Sequence, residues 1–246
     1  FRAAGGHEHV KFMHSSLSTM GVEGLRLEST ADAGSYMFMK NYKVDMEPDS
    51  GWSVDWKLEP GDIVPDFNED VYLRYTDVTK NIVVYTADTW VALDGYASTA
   101  EAWIPRILSR KEKKDEGLLQ TAFAGVIEPY TGKPKLHAVK RLDLFYGSGI
   151  AASEADVAIQ IDHADGKSDL IVSIDVDDPA GHKNKSGTLN IIQKDWDVCT
   201  DCELVMIRKS NNTHVVKIVL CKGSFIRIGD INIKSATHID FREVDL

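Results

Sequence analysis

The sequence predicts an all-β fold of stacked antiparallel sheets, a β-sandwich with room for a second, smaller C-terminal sandwich layer. Three observations predict it: apolar and polar residues alternate with period two along most of the chain, turn residues punctuate the alternation at meander spacing, and only one segment could hold a helix of any length. At 246 residues the chain can bury a sizeable core, and that length fits one large β-domain or two smaller ones.

Taken in order, the chain opens on Phe1 rather than Met, and its first residues already read as strand. That is the expectation for a product of internal cleavage or a fragment of a longer protein. Across Gly5 to His14, strand parity places His7, His9 and Lys11 on one face and Glu8, Val10, Phe12 and His14 on the other. Next, Trp52, Val54, Trp56 and Leu58 share one face while Ser53, Asp55 and Lys57 share the opposite one, the pattern of a half-buried antiparallel strand. Val71, Leu73 and Tyr75 repeat it, and Asn81 to Tyr85 follows. The exception runs from Ala97 to Leu119. There Ala100-Glu101-Ala102-Trp103 reads as a helical turn before Pro105, and the mixed-sign stretch Arg110 to Gly117 reads as a solvated loop tip.

Beyond it come Val157, Ile159 and Ile161, then Leu170, Val172, Ile174 and Val176. Leu204 to Arg208, Val215 to Cys221, Phe225 to Ile228 and Asn232 to Ile233 read as four further strands. Asp49-Ser50-Gly51, Glu59-Pro60-Gly61-Asp62, Asp165-Gly166, Asp178-Pro179-Ala180-Gly181 and Ser210-Asn211-Asn212 supply the turns. Gly147 to Ser153 is rich in small residues, which places a boundary there: residues 1–147 form an antiparallel sandwich region and residues 148–246 a C-terminal β-layer or small subdomain.

A formal charge of -10 repels a phosphate backbone or an anionic bilayer, so neither nucleic acid nor membrane is an expected partner. No apolar run is long enough for a membrane helix. Cys199, Cys202 and Cys221 are an odd number and cannot make a complete disulfide framework. Cys199 and Cys202 have half a zinc spacing without a second pair, so they read as strand cysteines, with a short oxidised loop as an option.

His7 and His9 are the metal-ligand candidates, because His-x-His puts two imidazoles on one strand face, although a third ligand must come from elsewhere. His14 reads as packed beside Val10 and Phe12. Trp52, Trp56 and Tyr130, with Trp90 and Trp103 elsewhere, suit sugar stacking, although indoles at strand spacing more often fill the space between sheets. Asp175, Asp177 and Asp178 surround a turn that reads as an acidic, solvated one, with calcium as the alternative. No nucleophile elbow and no phosphate loop is present.

Taken together, Phe1-Arg2, Gly5-Gly6, His9, His14-Ser15, Phe123, Val126-Ile127-Glu128-Pro129-Tyr130 and Arg141-Leu142 resemble the C-terminal region of heparinase II/III-type polysaccharide lyases. So do Val157-Ala158-Ile159, Asp165-Gly166, Asp169-Leu170-Ile171 and Gly223 in the last hundred residues. The likeness spans nearly the whole chain, and Val126 to Tyr130 is its most distinctive stretch. The resemblance implies an α/α-toroid followed by stacked sheets of super-sandwich type, in a secreted or periplasmic enzyme that cleaves uronic-acid polysaccharides by β-elimination. In that chemistry a base removes the C5 proton beside a neutralised carboxylate and an acid, commonly Tyr, protonates the leaving O4.

The family's His-Gly-His-x-Asp segment, associated with catalysis and zinc, is mimicked by His7-Glu8-His9-Val10-Lys11. Glu8 replaces its Gly and Lys11 its Asp, so those roles are not carried over, and zinc is left to the parent protein. The expected partners are an acidic polysaccharide and a toroid supplied by a preceding segment or a second chain. The substrate-binding candidates are Trp52, Trp56, Tyr130 and Arg141, and this region alone is expected to be inactive. The alternative is a non-catalytic carbohydrate-binding or structural β-sandwich module.

Overall fold

A computed structural model describes residues 2–14, 20–30, 38–58, 69–92, 101–114, 116–177, 190–211 and 213–246, and among them the protein is all-β, in stacked antiparallel sheets. The strands begin with β1 (Arg2–Ala4), β2 (Glu8–His14), β3 (Met20–Glu23), β4 (Glu28–Ser29), β5 (Met39–Asp45), β6 (Ser53–Lys57) and β7 (Val71–Asp77). They continue with β8 (Val83–Ala92), β9 (Glu101–Glu112), β10 (Gln120–Ala122), β11 (Gly125–Thr131), β12 (Leu136–Leu142), β13 (Phe145–Tyr146) and β14 (Val157–His163). The last are β15 (Lys167–Ser173), β16 (Ile191–Gln193), β17 (Val198–Thr200), β18 (Leu204–Ser210), β19 (His214–Ile228) and β20 (Ile231–Asp245).

The chain divides into two compact units. The amino-terminal unit comprises Gly6–Leu119 and Gly125–Pro134; the carboxy-terminal unit comprises Phe1–Gly5, Gln120–Ala124 and Lys135–Leu246. Gly147 to Ser153 therefore lies inside the carboxy-terminal unit.

In the amino-terminal unit, a four-stranded sheet β11-β7-β6-β3 faces a five-stranded sheet β2-β9-β8-β5-β4. The alternation read from Trp52 to Leu58 sets the inner face: Trp52, Val54 and Trp56 are buried, as is Tyr75 on the neighbouring strand. Val84 and Ile107 bury the facing side of the five-stranded sheet. One carboxylate joins the two sheets. Asp77 Oδ2 accepts from Tyr75 OH at 2.5 Å, from Lys11 Nζ on β2 at 2.6 Å and from Ser109 Oγ on β9 at 3.4 Å, while Oδ1 accepts from Thr79 N at 2.7 Å. The outer face of the five-stranded sheet is apolar as well, with Tyr85, Ala87 and Leu108 packed beside Val10, Met39, Tyr42 and Val44.

The carboxy-terminal unit holds the β1-β10 pair and a nine-stranded sheet ordered β12-β14-β15-β18-β19-β17-β16-β13, with β20 on β19. Its first part, with Leu170, Val172, Ile207 and Ile218, and its last part, with Ile191, Val198, Ile226 and Ile228, belong to one core. The long strand β19 carries the chain between these layers, pairing with β18 through Cys221 and with β17 from Ile226. The change of layer is a bulge, as expected where a strand turns a sandwich corner. Lys222 takes a φ of 51°, and a Cβ on Gly223 would stand 2.6 Å from Cys202 Cα, so only glycine fits. Asp201 closes the corner by accepting from the backbone N–H of Ser224 (2.8 Å) and Phe225 (2.9 Å). At the far end of the core, Trp196 donates its indole N–H to Gln160 Oε1 at 2.8 Å under the ammonium of Lys209. On the other face, Asp169 is held by Arg208 through two bonds of 2.7 Å and by His163 Nε2 at 2.9 Å.

Several expectations are corrected. Glu101 to Trp103 is strand, not a helical turn: β9 pairs with β8 from Arg110↔Val83 to Glu101↔Ala92. Pro105 fits because β2 joins β9 only from Arg106 onward, so among the described residues β9 has a single neighbour where proline lacks its N–H. Arg110 to Glu112 end the same strand rather than belonging to a loop tip, and Arg110 is paired with Glu8 and Glu112. Val215 to Cys221 and Phe225 to Ile228 are one strand, Asn232 and Ile233 begin a strand of 15 residues, and Asn81 precedes β8. Val176 is exposed, because β15 ends at Ser173. All three cysteines are free thiols, so no oxidised loop forms.

Trp56 is 1 % exposed and its indole N–H has no acceptor among the described residues. Trp56→Ala should therefore cost about 3–5 kcal/mol in urea unfolding through lost transfer energy and the cavity left behind. Trp56→Phe should cost much less, because it deletes an unsatisfied donor along with part of the ring.

At Asp169, burial pushes the carboxyl up, but the hydrogen bonds and charges of Arg208 and His163 outweigh it and hold the group below its ordinary 3.8. A depressed carboxylate contributes stability that is full above the unfolded value and is lost as pH falls through the folded one. Arg208→Met should thus lose about 1.5 kcal/mol at neutral pH, the low end for a charged hydrogen bond because the guanidinium is partly solvated. Unfolding curves taken down through pH 3.8 should show that deficit shrinking.

Candidate functional site

The face of the four-stranded sheet opposite the tryptophans is built from register. Asp55, Arg74 and Glu128 lie side by side across β6, β7 and β11, and Lys57, Tyr72 and Tyr130 make the next row. These are the residues that alternate with Val54, Trp56, Leu73 and Tyr75, so burying one set presents the other on the opposite face. The edge strand β11 closes tightly on β7 because Gly125 has no side chain: a Cβ there would stand 2.6 Å from the Tyr75 ring and 2.8 Å from Thr76 O.

On this face the rings of Tyr72 and Tyr130 stack at 5.2 Å and 14°. Tyr130 OH donates to Asp55 Oδ1 at 2.7 Å, and Arg74 grips the same carboxylate through Nε at 2.9 Å and Nη2 at 2.8 Å. Lys57 pairs with Asp70 at 2.9 Å. All four central side chains are half-buried. Burial first, then the hydrogen bond to Asp55 and its charge, pushes the Tyr130 hydroxyl up to about 12. The face thus combines a fixed aromatic pair with oriented carboxylate and phenol oxygens, groups that suit a ligand with an apolar face and many hydroxyls. Because Arg74 is neutralised by Asp55, its charge has little left for an incoming anion.

The other candidates fall elsewhere. Trp52 and Trp56 are buried in the amino-terminal core, with the Trp52 ring edge-on to Tyr75 at 5.8 Å. Arg141 belongs to the carboxy-terminal unit, where Nη2 donates to the carbonyls of Glu154 (2.7 Å) and Asp156 (3.0 Å) and so secures the turn before β14. His7 is exposed just before β2, its carbonyl accepting from Lys113 N at 2.9 Å. The side chains of His9, Phe12 and His14 lie outside the described residues, as do Asp178 and Pro179. Among the described residues no three His, Cys, Asp or Glu converge as a metal site. Asp175 instead donates its N–H to Asp156 Oδ1 at 2.7 Å. Burial pushes the thiols of Cys199 and Cys202 up, away from the thiolate that a metal or a nucleophile requires.

Asp55, Arg74 and Tyr72 are the members that sequence reading missed. Parity placed Asp55 on the polar face, but only the pairing of β6 with β7 and β11 shows which residues stand beside Tyr130. Comparisons with family models, curated proteins and solved structures find no match for this chain.

Tyr130→Phe should remove one late phenolate from the near-ultraviolet alkaline titration, the one ionising at about 12 against an ordinary 10.0. A phenol raised in the fold stabilises below the unfolded value and loses that contribution as pH rises through the folded one. The variant's stability should therefore decline less steeply across that interval.

Proposed function

We propose that this chain is the C-terminal β-sandwich portion of a heparinase II/III-like polysaccharide lyase that acts on uronic-acid-containing glycans by β-elimination in the periplasm or outside the cell. The observation that carries this reading is the strand β11. Its residues Val126 to Tyr130 are the most distinctive part of the family likeness, and that strand sets Tyr130 on Tyr72 beside the Asp55–Arg74 pair. The proposed role is to hold substrate. Tyr75, chemically suited to protonate a leaving oxygen, is buried, and it receives from Lys11 and donates to Asp77. Burial, then the charge of Asp77 and the bond to it, pushes its hydroxyl far up, so it is a structural group. Proton transfer and neutralisation of the uronate are assigned to the toroid, supplied by residues outside these 246.

The chain alone should generate no unsaturated uronate from alginate or heparan sulfate, measured by enoate absorbance. In the toroid-containing parent protein, Tyr130→Ala should raise KM about tenfold with kcat largely kept, the upper range for one aromatic contact. A parent protein that binds these glycans without forming the enoate would replace this reading with a non-catalytic carbohydrate-binding module. One that neither binds nor cleaves them would end both.

A further inference from the structure

The inner face of the five-stranded sheet changes character along its length. Ser109, Val84 and Asp45 form one row across β9, β8 and β5, and Ile107, Thr86 and Lys43 form the next. Pro105, Asp88 and Lys40 follow, and the last row is Trp103, Trp90 and Phe38, where Phe38 O accepts from Trp90 N at 2.9 Å. Over these six residues, about 20 Å of strand, the face passes from core to surface. Ser109 is 0 % exposed, whereas Trp103 is 37 % and Phe38 60 % exposed.

This end presents three aromatic rings, from β9, β8 and the residue just before β5, a strip about 10 Å wide. Phe38 lies 5.4 Å from Trp90 at 34°. Lys40 reaches across β8 to place Nζ 3.6 Å from the centre of the Trp103 ring. Its row neighbour Asp88 does not pair with it and accepts instead from Asn41 Nδ2 at 2.6 Å, Asn41 being turned toward it by a bulge with φ 56°. Among the described residues Lys40 makes no ion pair, so its charge is held by a π-face and not by an acid. Such a cation is available to an incoming anion, because an exposed cation–π contact is weak.

Rings, an uncommitted ammonium and an amide–carboxylate pair together match one ligand chemistry. We propose that Trp103, Trp90, Phe38 and Lys40 form a binding site for a uronate-bearing glycan chain. The apolar C–H face of a pyranose lies on the Trp103 indole, its carboxylate meets Lys40, and hydroxyls of the neighbouring sugar reach Asn41 and Asp88. A purely apolar protein segment would leave the ammonium and the Asn41–Asp88 pair unanswered. This site deepens the lyase reading and rests on it for the choice of an acidic sugar.

The test is calorimetric titration of the 246-residue chain with an alginate hexasaccharide and with neutral cellohexaose. Trp103→Ala should weaken the alginate oligosaccharide at least about tenfold with the melting temperature unchanged, because the ring is partly exposed. Lys40→Met, which keeps the stem, should weaken the uronate ligand and leave cellohexaose as it was. Wild-type affinity in Trp103→Ala, or no binding of the uronate ligand by the wild-type chain, overturns the site. An equal loss for both ligands in Lys40→Met overturns its preference for acid. Failure here while the parent protein still eliminates and Tyr130→Ala still raises its KM leaves the lyase reading standing. Binding at Trp103 in a parent without elimination activity sinks that reading and keeps the site.

Discussion

Asp77 is the group on which the amino-terminal unit depends. Its carboxylate lies between two sheets with no solvent exposure, a placement that costs several kcal/mol unless every lone pair is answered. It is answered from both sides: Tyr75 of its own sheet and Thr79 just beyond the end of β7 on one, Lys11 and Ser109 of the facing sheet on the other. The consequence is registry. Apolar faces slide over one another at little cost, but a buried carboxylate tolerates only the position at which all its donors meet it. Val54, Trp56, Val84 and Ile107 supply the burial, and Asp77 fixes where each stands. The outward rows of β6, β7 and β11 inherit that registry, since every residue turned inward fixes its neighbours on the opposite face.

The carboxy-terminal unit reaches a similar end through backbone geometry. One sheet becomes two layers because β19 bends at Lys222 to Ser224, where Gly223 admits Cys202 and Asp201 binds the freed N–H groups. Its partner β20 must take a longer path around the bend, and it advances five positions, from Lys234 to Ile239, where β19 advances two, from Gly223 to Phe225. The resulting bulge also breaks the edge of a strand of 15 residues that has no second neighbour among the described residues, and Lys234, Asp240, Arg242 and Asp245 charge what remains. Bulges and edge charges are the devices by which sheets avoid pairing with further strands. One bend therefore makes both the core and its protection.

These causes also explain how far the sequence could be read. Alternation in Trp52 to Leu58 and Val71 to Tyr75 was legible because the core face of each strand carries apolar side chains and the other face polar ones. In Val157 to Ile161 it was legible although both faces are covered, because the positions between are the small Ala158 and the polar Gln160. It failed at β9, where Ile107, Leu108 and Ser109 are all buried because both faces of the sheet are covered, leaving no period to see. It failed at β19 because the break at Lys222 to Ser224 looks like a turn until Asp201, more than twenty residues earlier, is known to satisfy it. The candidate site divides in the same way. Tyr130 stands out as a residue, while Asp55, Arg74 and Tyr72 become its neighbours only through pairing between strands that lie far apart in the chain.

The two aromatic faces of the amino-terminal unit differ in what is done with the cation beside them. Arg74 is gripped by Asp55 through two short bonds, so an approaching carboxylate would have to displace one that is already ideally placed. Lys40 stands against an indole, which offers a far weaker hold than a carboxylate, and the adjacent Asp88 is engaged by Asn41. On the proposed reading, the tyrosine face takes hydroxyls and apolar sugar faces, and the tryptophan end an acidic sugar. A chain of uronates carries both kinds of group on every residue, so a unit that holds one would need two kinds of contact, one for the ring and one for the charge. The same sheet alternation that buries Trp56 and Ile107 supplies the first, and Lys40, which makes no ion pair among the described residues, supplies the second.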